Sequence, residues 1–441
     1  MNACDLLISA PWVLPIAPQN VVLENHAVAV TGSRIDALGP REELHATYRA
    51  DTVIDLDQHI LMPGLVNAHG HAAMSLLRGA GEDQPLEVWL NETIWPMEAR
   101  LMNPDYVRLG SELAIAEMLL SGTTTFSDMY FYPEVVGKLC VELGMRAQLA
   151  FPLIEFENPW SENVTDALHK GLELFHHYRH EDLINIALGP HAAYTLSPTD
   201  MEQVGMYANE LDIMVQIHLH ETAAEVRDAH SRIGQSWISR LHEAGLLGPS
   251  LQAVHMTQIT PEELNMVAES GTQVVHCPTS NLKLASGYCP VSDLQNAGVA
   301  VAIGTDGAAS NNRLDMFDEA RLASLMAKHE QRDAAQGAAA DVVRMATHDG
   351  ARVLGIGDRT GSLQAGKAAD FITVNTDALG LLPVYNPFAA LVHGNAGNAV
   401  DNVFINGKQM VANGQLTCMS QSDLAQRVRS WHSAQALQAV R

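Results

Sequence analysis

Positive charge is what this chain has least of. Only 26 of its 441 residues are Lys or Arg, against 51 Asp or Glu, giving a formal net charge of −25. Binding along a phosphate backbone needs clustered cationic side chains, so nucleic acid is excluded as a partner. Cysteine is also sparse. The five thiols, Cys4, Cys140, Cys277, Cys289 and Cys418, are odd in number and form no Cys-x-x-Cys. That argues against a disulfide framework or a thiolate zinc site, and it fits a reducing compartment. No apolar run is long enough to span a membrane, which excludes a membrane partner of that kind. The apolar stretch from Leu6 to Ile16 has Asp5 before it, no Lys or Arg ahead of it, and two prolines within it, so it makes a poor signal peptide. A cytoplasmic location is the expectation.

With 47% hydrophobic and 17% charged residues, little of the chain can be disordered. At this length, one large barrel domain with a minor domain is the natural organisation. Residues 1 to about 60 read as short strands (Leu6–Ile8, Val21–Val30, Arg34–Leu38 and Val53–Asp55) broken by Gly and Pro. From 61 to about 360 the texture alternates. Strands are predicted at 61–68, 123–128, 146–152, 184–189, 213–218, 252–255, 273–276 and 300–304. Helices fall between them at 105–121, 134–143, 162–179, 198–211, 223–244, 261–270 and 315–330. Eight strands in β-α alternation predict an α/β fold, a parallel (β/α)8 barrel of the TIM type. From 361 to 441 the chain turns β-rich again, at Phe371–Val374 and Val400–Ile405, before an amphipathic helix over 420–441. The two terminal β segments are expected to pair into one small β-sandwich beside the barrel.

Histidine marks the chemistry. Pro63-Gly64-Leu65-Val66-Asn67-Ala68-His69-Gly70-His71 reads as an apolar strand presenting two imidazoles on one face. Such pairs suit Zn, Fe, Ni or Cu. Twenty histidines give about one His-x-His by chance, so the pattern is weak alone. Order strengthens it, because polar groups recur at the carboxyl ends of later strands, where barrel enzymes keep their sites. They are His218 in Val215-Gln216-Ile217-His218-Leu219-His220-Glu221, then His255, His276 and Asp306. His220 shares a strand face with His218 and is an alternative ligand. Asp306 follows a run of apolar and small residues, where an unpaired buried carboxylate is costly and a divalent metal would remove that cost. Hydrogen-bonded core histidines are the plain alternative for the pair, and a structural role, orienting Asp306, is the expectation for His276.

This ordered set resembles the amidohydrolase superfamily, in its branch of methylthioadenosine and S-adenosylhomocysteine deaminases. The likeness runs from the His69/His71 motif to Gly361-Ser362-Leu363-Gln364-Ala365-Gly366-Lys367-Ala368-Ala369-Asp370. Its more specific elements are Leu77-Arg78-Gly79, Trp89-Leu90, Ile94-Trp95-Pro96-Met97-Glu98 and Gly189-Pro190-His191-Ala192-Ala193-Tyr194-Thr195. The resemblance implies one zinc per subunit, held by His69, His71, His218 and Asp306, with no strand-4 lysine to bridge a second metal. It implies that Asp306 accepts the proton of the attacking water and that Glu221 protonates a ring nitrogen. His255 would stabilise the oxygen developing on the tetrahedral carbon. Glu98 would accept from the ribose hydroxyls, His191 would touch the nucleoside, and Trp89 would pack on its apolar parts.

One absence sharpens the substrate. Relatives taking S-adenosylhomocysteine are expected to use an arginine near the end of strand 3 to pair its carboxylate. Here Arg146 lies too early and reads as structural. Phe151 stands where the clamp would be useful, followed by Glu155-Phe156-Glu157. An arginine-free apolar pocket favours a small-molecule nucleoside with a methylthio group, 5'-methylthioadenosine, over a charged tail. The nearest rival keeps the chemistry and changes the ring to guanine, an oxidised purine, a cytosine or a triazine. The rival from another class is a metal-free scaffold. A homo-oligomer is left open.

Overall fold

The chain passes from one sheet into another at Gly64. In the computed structural model of the protein, which describes residues 1–439, a Cβ here would lie 2.0 Å from Thr124 Oγ1, so only glycine lets the backbone cross. Before this point run β1 (Asn2–Val13), β2 (Leu23–Thr31), β3 (Arg34–Pro40), β4 (Tyr48–Asp55) and β5 (His59–Pro63). After it come β6 (Leu65–Asn67), β7 (Thr123–Asp128), β8 (Arg146–Leu153) and β9 (Ile184–Pro190). They are followed by β10 (Val215–Leu219), β11 (Leu251–His255), β12 (Gln273–His276) and β13 (Val301–Ile303). The predicted strand 61–68 is therefore two strands in two sheets. It reads as one because both halves are buried and apolar, and periodicity cannot register a change of partner.

Strands β6 to β13 lie in sequential order and pair in parallel throughout. The Ala68 N–H donates to the Ile303 carbonyl at 3.0 Å, joining the first strand end to the last. The result is the expected (β/α)8 barrel. Its strands are apolar runs because both faces are covered; all eight residues of β8 are buried. The side chains of Asn103, Asn163, Ser197 and Thr260 cap the helices that follow, and Pro104, Pro198 and Pro261 open three of them. The predicted helix 223–244 is broken. Gly234 ends Ala223–Ile233 at φ +76, and Ser236 caps a second helix, Trp237–Glu243.

The remaining strands, β14 (Phe371–Asn375), β15 (Val400–Ile405), β16 (Lys408–Ala412) and β17 (Gln415–Leu416), join the N-terminal ones in a single nine-stranded mixed sheet. Leu6, Val28, Ile35, Phe371 and Phe404, from distant strands of that sheet, share one buried cluster. The sandwich is thus one sheet curled about its own core. Arg146 fastens it to the barrel: its guanidinium donates to Asp370 at 2.8 Å and to the Asn406 side chain at 2.6 Å. This buried pair gives Arg146 the structural role its position suggests. The C-terminal helix is Gln421–Ala439; the last two residues of the predicted 420–441 lie outside the described residues.

Candidate active site

At the carboxyl ends of the barrel strands, His69, His71, His218 and Asp306 face one another. The Nε2 atoms of His69 and His218 are 3.1 Å apart, and Asp306 Oδ1 lies 3.2 Å from His71 Nε2 and 3.6 Å from His69 Nε2. The opposite ring nitrogens fix the tautomers. His69 Nδ1 meets Gln216 Oε1 at 2.8 Å, His71 Nδ1 the Met129 carbonyl at 2.7 Å, and His218 Nδ1 the His191 carbonyl at 2.6 Å. All three partners are acceptors, so each Nδ1 carries a proton; His69 and His218 turn the Nε2 lone pair inward, while the hydrogen bond and charge of Asp306 outweigh burial at His71 and raise its pKa to about 9. Burial drives the His69 and His218 pKa values down, which keeps these rings neutral. The ligand atoms of His69, His218 and His255, and those of His69, His71 and Asp306, each lie within 4.8 Å of one another, so this cluster of imidazoles around one buried carboxylate fits a divalent cation such as zinc.

Asp306 is held by its other oxygen. Ser280 Oγ and Ser310 Oγ donate to Oδ2 at 2.6 and 3.1 Å, while the Gly307 N–H donates to Oδ1. The expectation that His276 orients Asp306 is corrected: its ring nitrogens meet no hydrogen-bond partner among the described residues, and burial pushes its pKa down to about 3. The alternative ligand His220 stays apart from the cluster: it lies past the end of β10 at φ +52, and its Nδ1 bonds the Gln258 carbonyl at 2.6 Å.

Glu221 and His255 stand beside the cluster. Glu221 Oε2 is 3.8 Å from His255 Nε2, and Ser286 donates to Glu221 Oε1 at 3.1 Å. Burial raises the Glu221 pKa to about 8, so the group is largely protonated at neutral pH. His255 is oriented by Asn281, whose Oδ1 lies 2.8 Å from Nδ1.

A cavity of about 280 Å³ opens from this cluster toward solvent. Its walls include Trp89, Glu98, His191, Glu221 and Asp306, so the structure brings the sequence-predicted residues to one space. Burial lifts the Glu98 pKa to about 7 against the pull of Tyr130, whose hydroxyl donates to it at 2.5 Å. No Lys or Arg appears in the walls, among the described residues. Phe151 is not in them either. Its ring points outward, 6.4 Å from Trp160 and against Gly171, and the strand end offers Pro152 and Ile154 to the cavity instead. The alternation of β8 decides this, since odd and even residues face opposite sides.

Several residues escaped the sequence reading. Gln216 orients His69 and also donates to Ala68 and Gln252. It sits two residues before His218, so strand period alone could have placed it on the same face. The Glu225 carboxylate accepts the backbone N–H groups of His220 and Glu221 at 2.9 and 2.7 Å. Tyr130 and Ser280 left no comparable signal, because their partners lie 32 and 26 residues away; Ser310, four residues after Asp306, was within local reach.

A closed parallel barrel with imidazoles and a carboxylate converging at its carboxyl face defines a metal-dependent hydrolase of the barrel type. The chain belongs to the amidohydrolase family, whose model matches residues 60–410. It is 45% identical over 427 residues to a 5-methylthioadenosine/S-adenosylhomocysteine deaminase of Teredinibacter turnerae, covering 97% of each chain. It is 39% identical over 426 residues to a 5'-deoxyadenosine deaminase of Methanothermobacter thermautotrophicus, covering 96% of each. The crystal structure of an adenosine deaminase from Xanthomonas campestris with bound zinc superposes with a TM-score of 0.97 at 43% identity, over 98% of this chain and 99% of that one.

Proposed function

We propose that this chain is a zinc-dependent deaminase that converts 5'-methylthioadenosine to 5'-methylthioinosine and ammonia. Adenosine is a further substrate, and S-adenosylhomocysteine is used weakly or not at all. One zinc ion would be held by His69, His71, His218 and Asp306. When bound, it supplies the Lewis acidity that makes water a nucleophile near neutral pH.

The chain's own groups move the protons. Asp306 receives the proton of the attacking water. Glu221, protonated at neutral pH, gives its proton to a ring nitrogen of the adenine as C6 becomes tetrahedral. His255 faces the oxygen developing at that carbon. The proton held by Asp306 passes to the departing amino group and the C6 hydroxyl proton returns to Glu221, so ammonia leaves, hypoxanthine remains and both carboxyl groups are restored. Glu98 accepts from the ribose hydroxyls, His191 contacts the nucleoside, and Trp89 closes over its apolar parts. The barrel segment, about residues 61–360, carries all of these groups.

One observation carries the reading: the donor cluster and the buried Glu98 share a cavity with no Lys or Arg in its walls, among the described residues. Glu98 supports a riboside over a free ring, and the apolar wall supports a methylthio group. The relatives named for adenine nucleosides support the reaction class. An ultraviolet assay of zinc-loaded protein with 5'-methylthioadenosine, adenosine and S-adenosylhomocysteine tests it. Preference for the first bears the reading out. Equal use of S-adenosylhomocysteine overturns the pocket argument, and no turnover of any of the three overturns the substrate class.

A further inference from the structure

Outside the cavity walls sits a buried carboxylate with no cationic partner among the described residues. Glu319, 1% exposed, lies in the helix Met316–Gln331. Its Oε2 accepts the Thr279 N–H at 3.1 Å, and its Oε1 accepts from Asn311 Nδ2 at 2.8 Å. These two donors belong to different short helices. Thr279 is the second residue of Pro278–Lys283 after β12 and is followed by Ser280; Asn311 ends Ala308–Asn311 after β13 and is preceded by Ser310. Asn311 Nδ2 also donates to the Thr305 carbonyl at 2.7 Å, beside Asp306. The two serine hydroxyls stand 3.1 Å apart and converge on Asp306 Oδ2.

An isolated buried carboxylate is costly unless its oxygens are hydrogen-bonded, and here both are. Two fixed N–H donors, one per oxygen, make the carboxylate a tie between the short helices that carry Ser280 and Ser310. With the serines fixed, Oδ2 is occupied and Oδ1 is left to face His69 and His71. We propose that Glu319 is a positioning residue for Asp306, acting through Ser280 and Ser310 without touching substrate or metal. The inference rests on Asp306 having the role assigned above.

Glu319→Gln tests it. A glutamine offers one oxygen and one NH2, so it cannot accept from both donors, and one link is lost with little change in size. The variant is expected to fold and to bind 5'-methylthioadenosine with KM within threefold of the parent. Its kcat should fall about 10-fold or more, and its zinc affinity about 10-fold, read by chelator competition. Ser280→Ala should behave alike, and the double variant should be little worse than either single one, because both break one chain of contacts. Losses that multiply in the double variant, or parent-like kcat and zinc affinity in Glu319→Gln, overturn the proposal. Should Glu319→Gln fail to fold, Asn311→Ala with Ser280→Ala supplies the same cycle. An inactive parent would instead reject the substrate reading, while the zinc measurement would still judge the tie.

Discussion

His69 Nε2 and His218 Nε2 approach to 3.1 Å with no proton between them, because each ring spends its proton on Nδ1. Two lone pairs at that distance repel unless a cation lies within reach of both. The rings come from strands 149 residues apart.

Metal removal should therefore loosen this part of the barrel. Prolonged chelation is expected to abolish turnover and lower the melting temperature by about 5 °C or more, with zinc restoring both. Asp306→Ala should lose zinc and activity together; differential scanning calorimetry with metal analysis checks the pair. An unchanged zinc content would remove Asp306 from the donor set.

Gln216 is a sharper probe, since it touches neither substrate nor metal. Gln216→Leu frees the His69 tautomer, and zinc affinity is expected to fall roughly 10–100-fold. Chelator competition reads the shift directly.

Glu221→Gln should keep zinc bound while kcat falls roughly 10²–10⁴-fold, the usual contribution of a general acid-base group. A steady-state assay on the zinc-loaded variant decides it, and near-normal turnover would reject the role.

The Glu98 carboxyl, raised to about 7 by burial, ties riboside affinity to pH. The ionised form accepts two hydroxyls and the acid form does not, so KM for 5'-methylthioadenosine should fall as pH rises through about 7. Glu98→Gln should flatten that dependence. Stability runs the other way. The folded pKa lies above the ordinary 4.5, so the native state is favoured below 4.5 and loses that contribution as pH rises toward 7. Urea titrations of parent and variant across this window measure the difference.

Ile154 lines the cavity where a carboxylate clamp is missing. Ile154→Arg should narrow the preference for 5'-methylthioadenosine over S-adenosylhomocysteine by about 10-fold, through a charge-assisted pair with the homocysteine carboxylate. The ratio of the two kcat/KM values is the readout.

The sequence alone determined the eight strands of the barrel and the barrel class, and it marked the candidate site residues at their ends. Each of these is local: an apolar run, a cap, a histidine at a strand end. It could not determine that 61–68 divides at Gly64, that His220 stays apart from the cluster, or that Phe151 points outward while Ile154 faces the cavity. These depend on a change of sheet partner, one positive φ and the parity of a strand, which are fixed only when the barrel closes. The tertiary structure alone decided what holds the site. Gln216 on His69, Tyr130 on Glu98 and Ser280 on Asp306 are hydrogen bonds between segments far apart in the chain. Such contacts leave no periodic trace, because a polar residue's partner is set by the packed geometry rather than by its neighbours in sequence.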